Sequence, residues 1–528
     1  AIICKNTEEW AVSAYATYGL SGQHIPMYET QIAKEWEYII RDCGAKVLLA
    51  ANRTVFDQTR NFTEQIETLE HVVLVTGSAD GDVTTYEDLL KTGRKNPVEV
   101  QQPESQSPMG MIYTSGTTGN PKGVILSHSN LIFECSIVIP LLGMTKDVRT
   151  LAFLPWAHVF GQVAEVHGII GCGGSAGLVD DVNTLIEELG VVKPSVFFAV
   201  PRVYNRIYDR LREQMKEKPG FIRALFYGGL KQARREREGE TLGFMDNLIL
   251  TLARKIIFKK ILNRFGGNLR IAVSGASALS PAVAEFVNDI GISIYEGYGL
   301  SENTAALSLN YPGVRRFGSV GKPLPGVRIE IDKTVEGSKE EDGEVLAYGE
   351  NIMLGYHNLP DKTKESITEE GGLRTGDLGH LDADGYLYIT GRVKEQYKLE
   401  NGKYVAPAPL EESLKLSAYI DQVLLYGFNR PHNVALIVAA MPAVEKFAEG
   451  LGISGSSESI LSEPRIRQLF KEQLEHYGKD FKGFEHPHNF ALLSEEWDID
   501  NGLLTPTLKL KREVVEEQFK TQIDELFS

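Results

Sequence analysis

Residues 113–124 read YTSGTTGNPKGV, a loop rich in Gly, Ser and Thr that contains a single Lys. Such a composition is typical of loops that bind phosphate, and the Walker A loop, GxxxxGK[ST], is the commonest of them. Counted from Gly116, the second Gly of that motif would fall at Pro121, and the hydroxyl residue expected after Lys122 is Gly123. The loop therefore differs from a Walker A loop at two positions. It either binds phosphate in another way or does not bind it.

The flanks of this loop also differ from those of a Walker loop, which leads directly into a helix. Residues 110–113 read as a strand that enters the loop, 124–126 as a strand that leaves it, and Ser127–Asn130 as the cap of a following helix. A loop between two strands can still form an anion-binding nest from backbone N–H groups. Its candidate phosphate ligands are Thr114, Ser115, Gly116, Thr117, Thr118, Gly119 and Lys122.

Short apolar runs alternate with amphipathic stretches from the start of the chain to about residue 310. The predicted strands include 1–4, 46–50, 72–76, 195–200, 270–274 and 292–295. Strands that alternate with helices predict largely parallel sheets with helices on both faces. We therefore predict an α/β fold whose large N-terminal domain contains two doubly wound α/β subdomains.

The pattern changes after about residue 315, where VGKPLPGVRIEI, GEVLAYG and GYLYITGR read as short alternating strands separated by Gly, Pro and Asp. We predict a β-rich, antiparallel subdomain at 315–391 that completes an N-terminal domain of residues 1–391. A smaller α+β C-terminal domain is predicted for 392–528. Its predicted elements are strands at Gln422–Phe428 and Val434–Ala440 and helices at about 460–480 and 511–526.

Length and composition weigh against several classes of protein. The chain has 528 residues, 42% of them hydrophobic, and a net charge of −16, whereas a general nucleic-acid-binding protein usually carries a basic footprint. Its four cysteines form neither CxxC nor a zinc-ligand spacing, which favours a reducing cytosol. No run of about 18 apolar residues predicts a membrane span. Because AIIC at 1–4 already reads as a strand, a targeting segment upstream of Ala1 stays open.

The loop YTSGTTGNPKGV resembles the phosphate loop of the adenylate-forming, or AMP-binding, superfamily, which contains acyl-CoA synthetases, adenylation domains and luciferases. The resemblance covers nearly the whole chain, because further motifs of the superfamily follow in the same order. They are SGASALS (274–280), YEGYGLSENTA (295–305), LRTGDLGHLDADGYLYITGR (373–392) and TPTLKLKR (505–512). Within the superfamily, NGKYVAPAPLEESL (401–414) and LLTPTLKLKR (503–512) make the chain most similar to long-chain fatty acyl-CoA synthetases.

The resemblance implies a nucleotide-binding role for each motif. Glu302 is implied as a Mg²⁺ ligand, a role that suits a hard carboxylate oxygen, and Ser301 as a contact of the α-phosphate. The residues implied to bind adenine and ribose are Gly275, Ala276, Ser277, Tyr298, Gly299, Asp377 and Arg392. By contrast, Asp382 and Asp384 fit the turn of a hairpin.

Lys509 is implied as the catalytic Lys of the superfamily. That Lys is followed three residues later by a basic residue, and Arg512 stands at this position. The neighbouring Lys511 does not fit, since Val514 lies three residues after it. The chain departs from the wider family in one respect, because Thr507-Leu508 precedes Lys509 where Ser-Gly is frequent.

The segment LPWAHVFGQ (154–162) is similar to the one that lines the acid-binding tunnel of the family. His158 corresponds to a position near the substrate carboxylate, and the alternative is a buried structural His. Gln162 and Gly297 are further candidates for the acyl pocket, with Gly299 beside them. A long acyl chain requires a largely apolar tunnel.

The resemblance implies a two-step activation of a fatty acid that uses ATP, Mg²⁺ and coenzyme A. The carboxylate attacks the α-phosphorus of ATP to give acyl-AMP and pyrophosphate, and the thiol of CoA then displaces AMP. Lys509 would bridge the carboxylate and the α-phosphate. A mobile C-terminal domain would then turn at Lys394, because a few hinge residues can absorb a large change in φ and ψ.

The segment from Arg202 to Arg264 departs from the acidic character of the chain, with 16 Lys or Arg and 7 Asp or Glu. It also contains the apolar runs Phe221–Leu230 and Leu248–Leu262. One interpretation is a patch for anionic lipid headgroups, where each cation adds about 1 kcal/mol. The other is ordinary solvated helices, which helical projection favours because the cations between 254 and 260 spread around more than half of the circumference.

Three alternatives to a CoA ligase stay open at this point. A fatty acyl-AMP ligase would load an acyl carrier protein instead of CoA. A P-loop NTPase disagrees with the loop and its flanks, and a non-catalytic lipid-surface protein leaves the ordered motifs unexplained. We expect fatty acid, ATP and CoA as partners and a cytoplasmic location, either free or peripheral on the inner face of a membrane. No nucleic-acid partner is expected, and a homodimer is a further expectation.

Overall fold

Helices and strands alternate along the chain as the sequence pattern predicts. The computed structural model describes residues 1–78, 83–114, 120–179, 181, 184–336, 338, 341–505 and 509–528. The strands are β1 (Ile2–Ile3), β2 (Pro26–Met27), β3 (Val47–Ala50), β4 (His71–Leu74), β5 (Pro108–Thr114), β6 (Lys122–Ser127), β7 (Arg149–Ala152), β8 (Ser175–Leu178), β9 (Val196–Ala199), β10 (Ile271–Ser274), β11 (Ser293–Tyr298), β12 (Ser308–Leu309), β13 (Lys322–Pro323), β14 (Arg328–Asp332), β15 (Gly343–Tyr348), β16 (Gly355–Tyr356), β17 (Leu373–Leu381), β18 (Leu387–Arg392), β19 (Tyr397–Lys398), β20 (Tyr404–Val405), β21 (Ile420–Tyr426), β22 (Asn433–Ala439) and β23 (Pro487–Leu493). The α-helices are α1 (Glu8–Gly19), α2 (Ala33–Cys43), α3 (Arg53–Thr59), α4 (Phe62–Gln65), α5 (Tyr86–Lys95), α6 (His128–Leu141), α7 (Val159–Gly161), α8 (Gly168–Cys172), α9 (Leu185–Val192), α10 (Pro201–Lys216), α11 (Gly220–Arg237), α12 (Phe244–Ala253), α13 (Lys259–Arg264), α14 (Pro281–Asp289), α15 (Pro360–Ser366), α16 (Pro407–Leu414), α17 (Met441–Gly450), α18 (Ser457–Ser462), α19 (Pro464–Gly478), α20 (Arg512–Gln518) and α21 (Lys520–Glu525).

Two sheets with parallel strands confirm the α/β prediction. The first has the order β2-β1-β3-β4, and each neighbouring pair in it is parallel. The second has the order β13-β12-β11-β10-β9, in which β9, β10 and β11 are parallel and the short β12 and β13 are antiparallel. The six strands predicted from apolar runs are all present in these sheets. Most of their apolar side chains are buried, as expected for strands that helices cover on both faces.

The strand–loop–strand–helix order around residues 113–130 is also confirmed. Strands β5 and β6 pair antiparallel, and β16 adds a third strand on the free edge of β6. Helix α6 follows β6 directly and begins with a capping box. The N–H of Asn130 donates to Ser127 Oγ at 3.2 Å, and the N–H of Ser127 donates to Asn130 Oδ1 at 2.8 Å. This satisfies two N–H groups that the start of a helix leaves unpaired.

The described residues divide into two compact units. Unit 1 comprises Ala1–Ile329, Leu346–Arg374 and Ala383–Leu387, and unit 2 comprises Glu330–Val345, Thr375–Asp382 and Tyr388–Ser528. The predicted domains meet at residues 391–392, whereas this division groups parts of 330–345 and 375–382 with the C-terminal residues. The two divisions differ over the sheet β14-β15-β17-β18. The predicted boundary assigns all of its strands to the N-terminal domain, whereas each strand lies partly in unit 2.

Unit 2 contains a three-stranded sheet and hydrophobic cores of its own. Strands β21 and β22 pair antiparallel, and β23 joins β22 in parallel. One core contains Phe470, and another contains Trp497, whose backbone exchanges two hydrogen bonds with the Gln422 amide at 2.7 and 2.8 Å. The predicted C-terminal strands are confirmed. The predicted helix at 511–526 is interrupted at Phe519, where α20 ends and α21 begins.

No helix in the described part of the chain is both long enough and apolar enough to cross a bilayer.

Candidate functional site

The predicted phosphate loop connects β5 to β6, and Thr114 and Lys122 are the opposed residues that close it. Five of its candidate ligands lie outside the described residues, so their role stays a prediction; they are Ser115, Gly116, Thr117, Thr118 and Gly119. A Cβ atom at Gly123 would lie 3.0 Å from Cζ of Tyr113 and 3.3 Å from Cβ of His357. The position at which a Walker loop needs a hydroxyl is therefore occupied by Gly because two side chains pack against its backbone.

Tyr356 connects the phosphate loop to the predicted metal ligand. The ammonium group of Lys122 lies 4.6 Å from the centroid of the Tyr356 ring, a cation–π distance. The hydroxyl of Tyr356 donates to Glu302 Oε1 at 2.8 Å. Burial and then the neighbouring Glu302 carboxylate raise the pKa of Tyr356, so the hydroxyl stays protonated and keeps donating. The structure thus joins Lys122 and Glu302, two residues of separate motifs, through a residue that the sequence did not indicate.

Ser301 and Glu302 lie on a 3₁₀ turn, residues 301–303, that follows β11. The N–H of Leu300 donates to Asn303 Oδ1 at 2.6 Å and caps this turn. The N–H of Met353 donates to the carbonyl of Glu302 at 2.8 Å, which attaches the turn to the segment before β16. Two separate contacts therefore fix the backbone beneath the Glu302 carboxylate.

The turn depends on Gly299. A Cβ atom at this position would lie 2.0 Å from the carbonyl oxygen of Ala305, so no other residue fits without displacing the backbone. Thr304 and Ala305 have φ values of +61° and +96°, in the region that L-residues rarely adopt. Strained backbone of this kind is frequent at functional sites, and Gly299 allows the chain to fold back on itself there.

The predicted adenine segment and the predicted acyl-pocket segment lie side by side. A Cβ atom at Gly275 would lie 3.3 Å from the ring of Phe160 and 3.7 Å from the carbonyl oxygen of Gly297. Ala276 has a φ of +71°, so the chain turns sharply as it leaves β10. Ser277 is exposed on this turn. The structure thus brings together residues of three motifs, including Gly297, at the carboxyl ends of β10 and β11.

His158 caps helix α7, since its Nδ1 accepts the N–H of Phe160 at 3.2 Å. A role for His158 at a substrate carboxylate stays a prediction. Gln162 begins a π-helical stretch, Gln162–His167, and its side chain is buried. Its Oε1 has no hydrogen-bond partner among the described residues. A buried, unpartnered amide oxygen is costly, and a bound polar group would satisfy it.

The same π-helical stretch contains two buried side chains whose pKa values are shifted by burial. Oε1 of Glu165 accepts long hydrogen bonds from the N–H groups of Phe153 and Leu154, at 3.4 and 3.5 Å. Burial raises the pKa of Glu165 well above its usual value. It lowers the pKa of His167 to about 3, while the Tyr15 hydroxyl lies 3.0 Å from His167 Nδ1. Burial thus favours the neutral form of both side chains.

In unit 2 the structure brings the two predicted ribose ligands together. Nε of Arg392 lies 2.9 Å from Oδ1 of Asp377, which is buried. The N–H of Asp377 donates to Thr375 Oγ1 at 3.1 Å, and the N–H of Gly376 donates to Glu344 Oε1 at the same distance. The Arg392 guanidinium thus contacts one oxygen of the Asp377 carboxylate, and the backbone on either side of the residue is fixed by hydrogen bonds. The ribose role of the two residues stays a prediction.

The residues between β17 and β18 form the turn that was predicted for Asp382 and Asp384. Asp384 lies in unit 1, where its carboxylate is 2.6 Å from Nη2 of Arg316. Lys394 follows β18 in a second turn, and its side chain is exposed. The N–H of Val393 just before it donates to the carbonyl of Gly376 at 2.8 Å. The pivot role of Lys394 stays a prediction.

Lys509 is held to Thr505 by two hydrogen bonds. The N–H of Thr505 donates to the carbonyl of Lys509 at 2.8 Å, and the N–H of Lys509 donates to Thr505 Oγ1 at 3.0 Å. Leu504 and Leu510 form an antiparallel bridge outside this pair. The side chain of Lys509 is exposed, whereas Thr507-Leu508 lies outside the described residues.

Arg512, whose position distinguished Lys509 from Lys511 as the predicted catalytic Lys, forms an ion pair with Glu411. Its Nη2 lies 2.6 Å from Oε2 of Glu411 on α16, and both side chains are largely buried. Its Nη1 donates to the carbonyl of Leu425 at 3.0 Å, and the N–H of Leu425 donates to Glu411 Oε1 at 2.6 Å. The basic residue three positions after Lys509 therefore anchors the segment that carries it. No pattern in the sequence indicated Glu411.

Comparisons with known proteins identify the family of the chain. The model of a family described as AMP-binding enzyme matches residues 1–357. The chain is 31% identical over 553 residues to long-chain-fatty-acid–CoA ligase 1 of Homo sapiens, which covers 100% of this chain and 78% of the relative. It is 30% identical over 534 residues to long-chain-fatty-acid–CoA ligase FadD15 of Mycobacterium tuberculosis, which covers 98% and 86%.

Solved structures confirm the fold. The adenylation domain of a carboxylate reductase from Mycobacterium chelonae has a TM-score of 0.78 at 20% identity and covers 100% of this chain and 80% of that one. The anthranilate CoA ligase AuaEII, in complex with anthranoyl-AMP, has a TM-score of 0.74 at 20% identity and covers 99% and 87%. At these identities the likeness supports the predicted fold and gives no information about the substrate of this chain.

Proposed function

The chain belongs to the family of AMP-binding enzymes, and from this we propose that it activates a long-chain fatty acid with ATP and transfers the acyl group to CoA. Relatives of about 30% identity that span the whole chain are long-chain fatty acid CoA ligases. The observation that carries the proposal is the Lys122–Tyr356–Glu302 arrangement. In it, the ammonium group of Lys122 and the carboxylate of Glu302, the candidate metal ligand, both contact Tyr356.

The proposed reaction has two steps, in which pyrophosphate and then AMP is the leaving group. A carboxylate oxygen attacks the α-phosphorus of ATP, the bond from that phosphorus to the β-phosphate oxygen breaks, and pyrophosphate leaves. The CoA thiol then loses its proton and its sulfur attacks the acyl carbon, the bond from that carbon to the phosphate oxygen breaks, and AMP leaves with that oxygen to give the thioester. The first step brings two anions together, so catalysis depends on positioning and on positive charge.

The residues of unit 1 fit a nucleotide with Mg²⁺. One oxygen of Glu302 accepts the Tyr356 hydroxyl, and the other makes no hydrogen bond to a described residue. A carboxylate oxygen with this freedom, together with phosphate oxygens and water, suits Mg²⁺ coordination. Bound there, Mg²⁺ would neutralise charge on the phosphates. Lys122 would orient the β- and γ-phosphates, Ser301 would contact the α-phosphate, and the turn after β10 would accommodate adenine.

The residues of unit 2 supply the remaining roles. Asp377 would accept two hydrogen bonds from the ribose hydroxyls, with Arg392 holding its carboxylate in place. Lys509 would bridge the fatty acid carboxylate and the α-phosphate in the first step. A turn of the C-terminal residues about Lys394 would then withdraw Lys509 and open the way for the thiol.

The proposed acceptor is CoA rather than an acyl carrier protein, since the curated relatives that span the chain are CoA ligases. We further propose a cytoplasmic enzyme that works at the inner face of a membrane, where long-chain acids partition. A homodimer stays a prediction.

The decisive experiment is the release of pyrophosphate from ATP across fatty acids of two to eighteen carbons, with and without CoA. We expect release with the longer acids and a CoA-dependent thioester. If no acid gives a CoA thioester but a holo-carrier protein is acylated, the proposal that CoA is the acceptor is wrong. If no acid gives pyrophosphate release, the adenylation itself is wrong.

A further inference from the structure

Helices α11 and α12 form a hairpin whose second helix is apolar on two opposite sides. Helix α12 continues through a π-helical turn, Arg254–Phe258, into α13. The side that faces the protein consists of buried residues, namely Leu250, Ala253, Ile257, Phe258 and Ile261. The opposite side consists of exposed residues, which we call the exposed stripe: Phe244, Met245, Leu248, Leu252 and Ile256. Their spacing places them within about a third of the helix circumference.

The exposed stripe is not needed to hold the hairpin together. Helices α11 and α12 pack closely at Gly228 and Gly229, where a Cβ atom at Gly229 would lie 2.3 Å from Cβ of Ala253 and one at Gly228 would lie 3.2 Å from Cγ2 of Ile249. None of these contacts involves a residue of the stripe. Phe244 keeps 83% of its surface exposed and Met245 keeps 63%. Large apolar side chains grouped this way on a surface mark an interaction site.

Basic side chains extend the stripe toward α13. Lys255 and Lys259 are four residues apart across the π-helical turn, which places them close to one face. Together with Lys260 they form no ion pair with a described residue. By contrast, Arg254 is paired with Glu236, and Arg235 with Asp246 and Glu240. Arg254 and Arg235 are thus paired within the hairpin, whereas Lys255, Lys259 and Lys260 are exposed at its apolar edge.

We propose that the exposed stripe, with Lys255, Lys259 and Lys260, is a docking surface for an anionic lipid bilayer. An apolar face with lysines beside it can insert its side chains at the headgroup boundary while the charges bind anionic lipid. The same surface suits a second copy poorly. In a symmetric dimer each patch would face its own copy, and the lysines of the two copies would repel. The inference rests on the membrane location proposed above and names the surface that provides it, while binding to a bilayer requires no catalysis and can be tested apart from the reaction.

The test is sedimentation of the full chain with vesicles of phosphatidylcholine alone and of phosphatidylcholine with phosphatidylglycerol. We expect binding to the anionic vesicles that weakens with salt. Phe244→Ser/Met245→Ser should weaken it about 10-fold or more, because the inserted area is lost. Lys255→Ser/Lys259→Ser/Lys260→Ser should weaken it roughly 100-fold and remove most of its salt dependence.

A matched control is Val98→Ser/Val100→Ser, which removes two apolar side chains that are 72% and 81% exposed elsewhere on the chain. It should bind vesicles as the parent does. Acyl-CoA formation from a fatty acid below its solubility limit should be unchanged in every variant, which separates this test from that of the reaction. Binding that is absent in the parent, or equal in all variants, would overturn the proposal. So would a change from dimer to monomer in Phe244→Ser/Met245→Ser without vesicle binding by the parent, since the stripe would then be a subunit interface.

Discussion

Tyr356 gives the candidate site a link between the phosphate loop and the Glu302 carboxylate. Its ring lies under the Lys122 ammonium and its hydroxyl reaches Glu302, so each of these charges has a partner before any nucleotide binds. The hydroxyl also fixes which oxygen of Glu302 is free. A phenol in this place positions the carboxylate without titrating, since its pKa lies above the usual value.

Tyr356→Phe keeps the ring beneath Lys122 and removes the hydrogen bond to Glu302. We expect the Mg²⁺ concentration needed for half-maximal ATP binding to rise about 10-fold, because a charge-assisted hydrogen bond that orients the ligand is lost. Calorimetric titration of ATP at several Mg²⁺ concentrations measures this. Tyr404→Phe is the control, since it removes a similar bond, 2.6 Å from Tyr404 to Glu336. Equal shifts in the two variants would contradict a positioning role for Tyr356.

Gly299→Ala tests the turn that carries Ser301 and Glu302. The added Cβ meets the Ala305 carbonyl, so the backbone must move. We expect a loss of about 1–3 kcal/mol in the free energy of unfolding. Adenylation should fall more than ~100-fold, because displaced groups lose their alignment. Gly93→Ala in α5 has no atom within 4 Å of its new Cβ, so it should leave adenylation unchanged and raise the free energy of unfolding by up to about 1 kcal/mol. Normal adenylation in Gly299→Ala would show that the turn tolerates the shift.

Lys509→Ala separates the two half-reactions. We expect pyrophosphate release to fall about 100-fold or more, since one cation at the reacting phosphate is lost. Thioester formation from supplied acyl-AMP and CoA should be retained. Lys511→Ala removes the neighbouring lysine and should leave both steps intact. If Lys509→Ala lowers both steps equally, the assignment of Lys509 to adenylation is wrong.

Among helices and strands, α16 and α20 show how a distant contact fixes a catalytic segment. The Arg512–Glu411 pair joins the first residue of α20 to α16, and both partners also bond to Leu425 of β21. The loop that ends at Lys509 lies just before this anchor. We infer that the pair determines where the loop emerges from unit 2.

Arg512→Met should lower the free energy of unfolding by about 3–5 kcal/mol, because it leaves the Glu411 carboxylate buried without its partner. The double variant Arg512→Met/Glu411→Gln should recover part of this loss. Lys362→Met is the control, since it breaks an exposed pair with Glu365 and should cost at most about 1 kcal/mol. Denaturant unfolding measures all three. A similar small loss in Arg512→Met and Lys362→Met would contradict the anchoring role.

Elements with a local pattern were predictable from the sequence, and contacts between distant residues were not. The strands around residues 113–130 follow from apolar runs, a Gly-rich loop and a capping pattern that are all read within a few residues. Tyr356 and Glu302 are 54 positions apart, and Arg512 and Glu411 are 101 apart. Nothing in the local sequence records such a pair. The helix predicted at 511–526 was too long, because the apolar residues keep their helical spacing across Phe519 and the sequence gives no sign of the turn there.

For the chain as a whole, burial shifts the pKa values of a carboxyl group and an imidazole in opposite directions. The two shifts make the free energy of unfolding depend on pH with opposite signs. Burial raises the pKa of Glu296 to about 8 and lowers the pKa of His167 to about 3. Between pH 4.5 and 8 the unfolded chain has lost the Glu296 proton that the folded chain keeps, so stability falls as pH rises. Between pH 6.5 and 3 the unfolded chain binds a proton that folded His167 does not, so stability falls as pH drops.

Glu296→Gln keeps position 296 neutral at every pH. We expect the decline in the free energy of unfolding between pH 5 and 8 to become shallower, because one of the groups that cause it no longer titrates. Glu134 and Glu165 shift in the same direction and leave a residual slope. The acid decline below pH 6.5 should persist. Glu370→Gln, at an exposed position, is the control. An unchanged slope in Glu296→Gln would show that the folded chain ionises Glu296 at neutral pH.

The packing of Trp497 against Gln422 has an optical consequence. Three of the four tryptophans, Trp10, Trp36 and Trp156, belong to unit 1, and Trp497 alone belongs to unit 2. Replacing the three with Phe would leave a single buried indole inside the core that supports the Lys509 loop. Its fluorescence would then follow the melting of unit 2 alone, separately from the parallel sheets of unit 1.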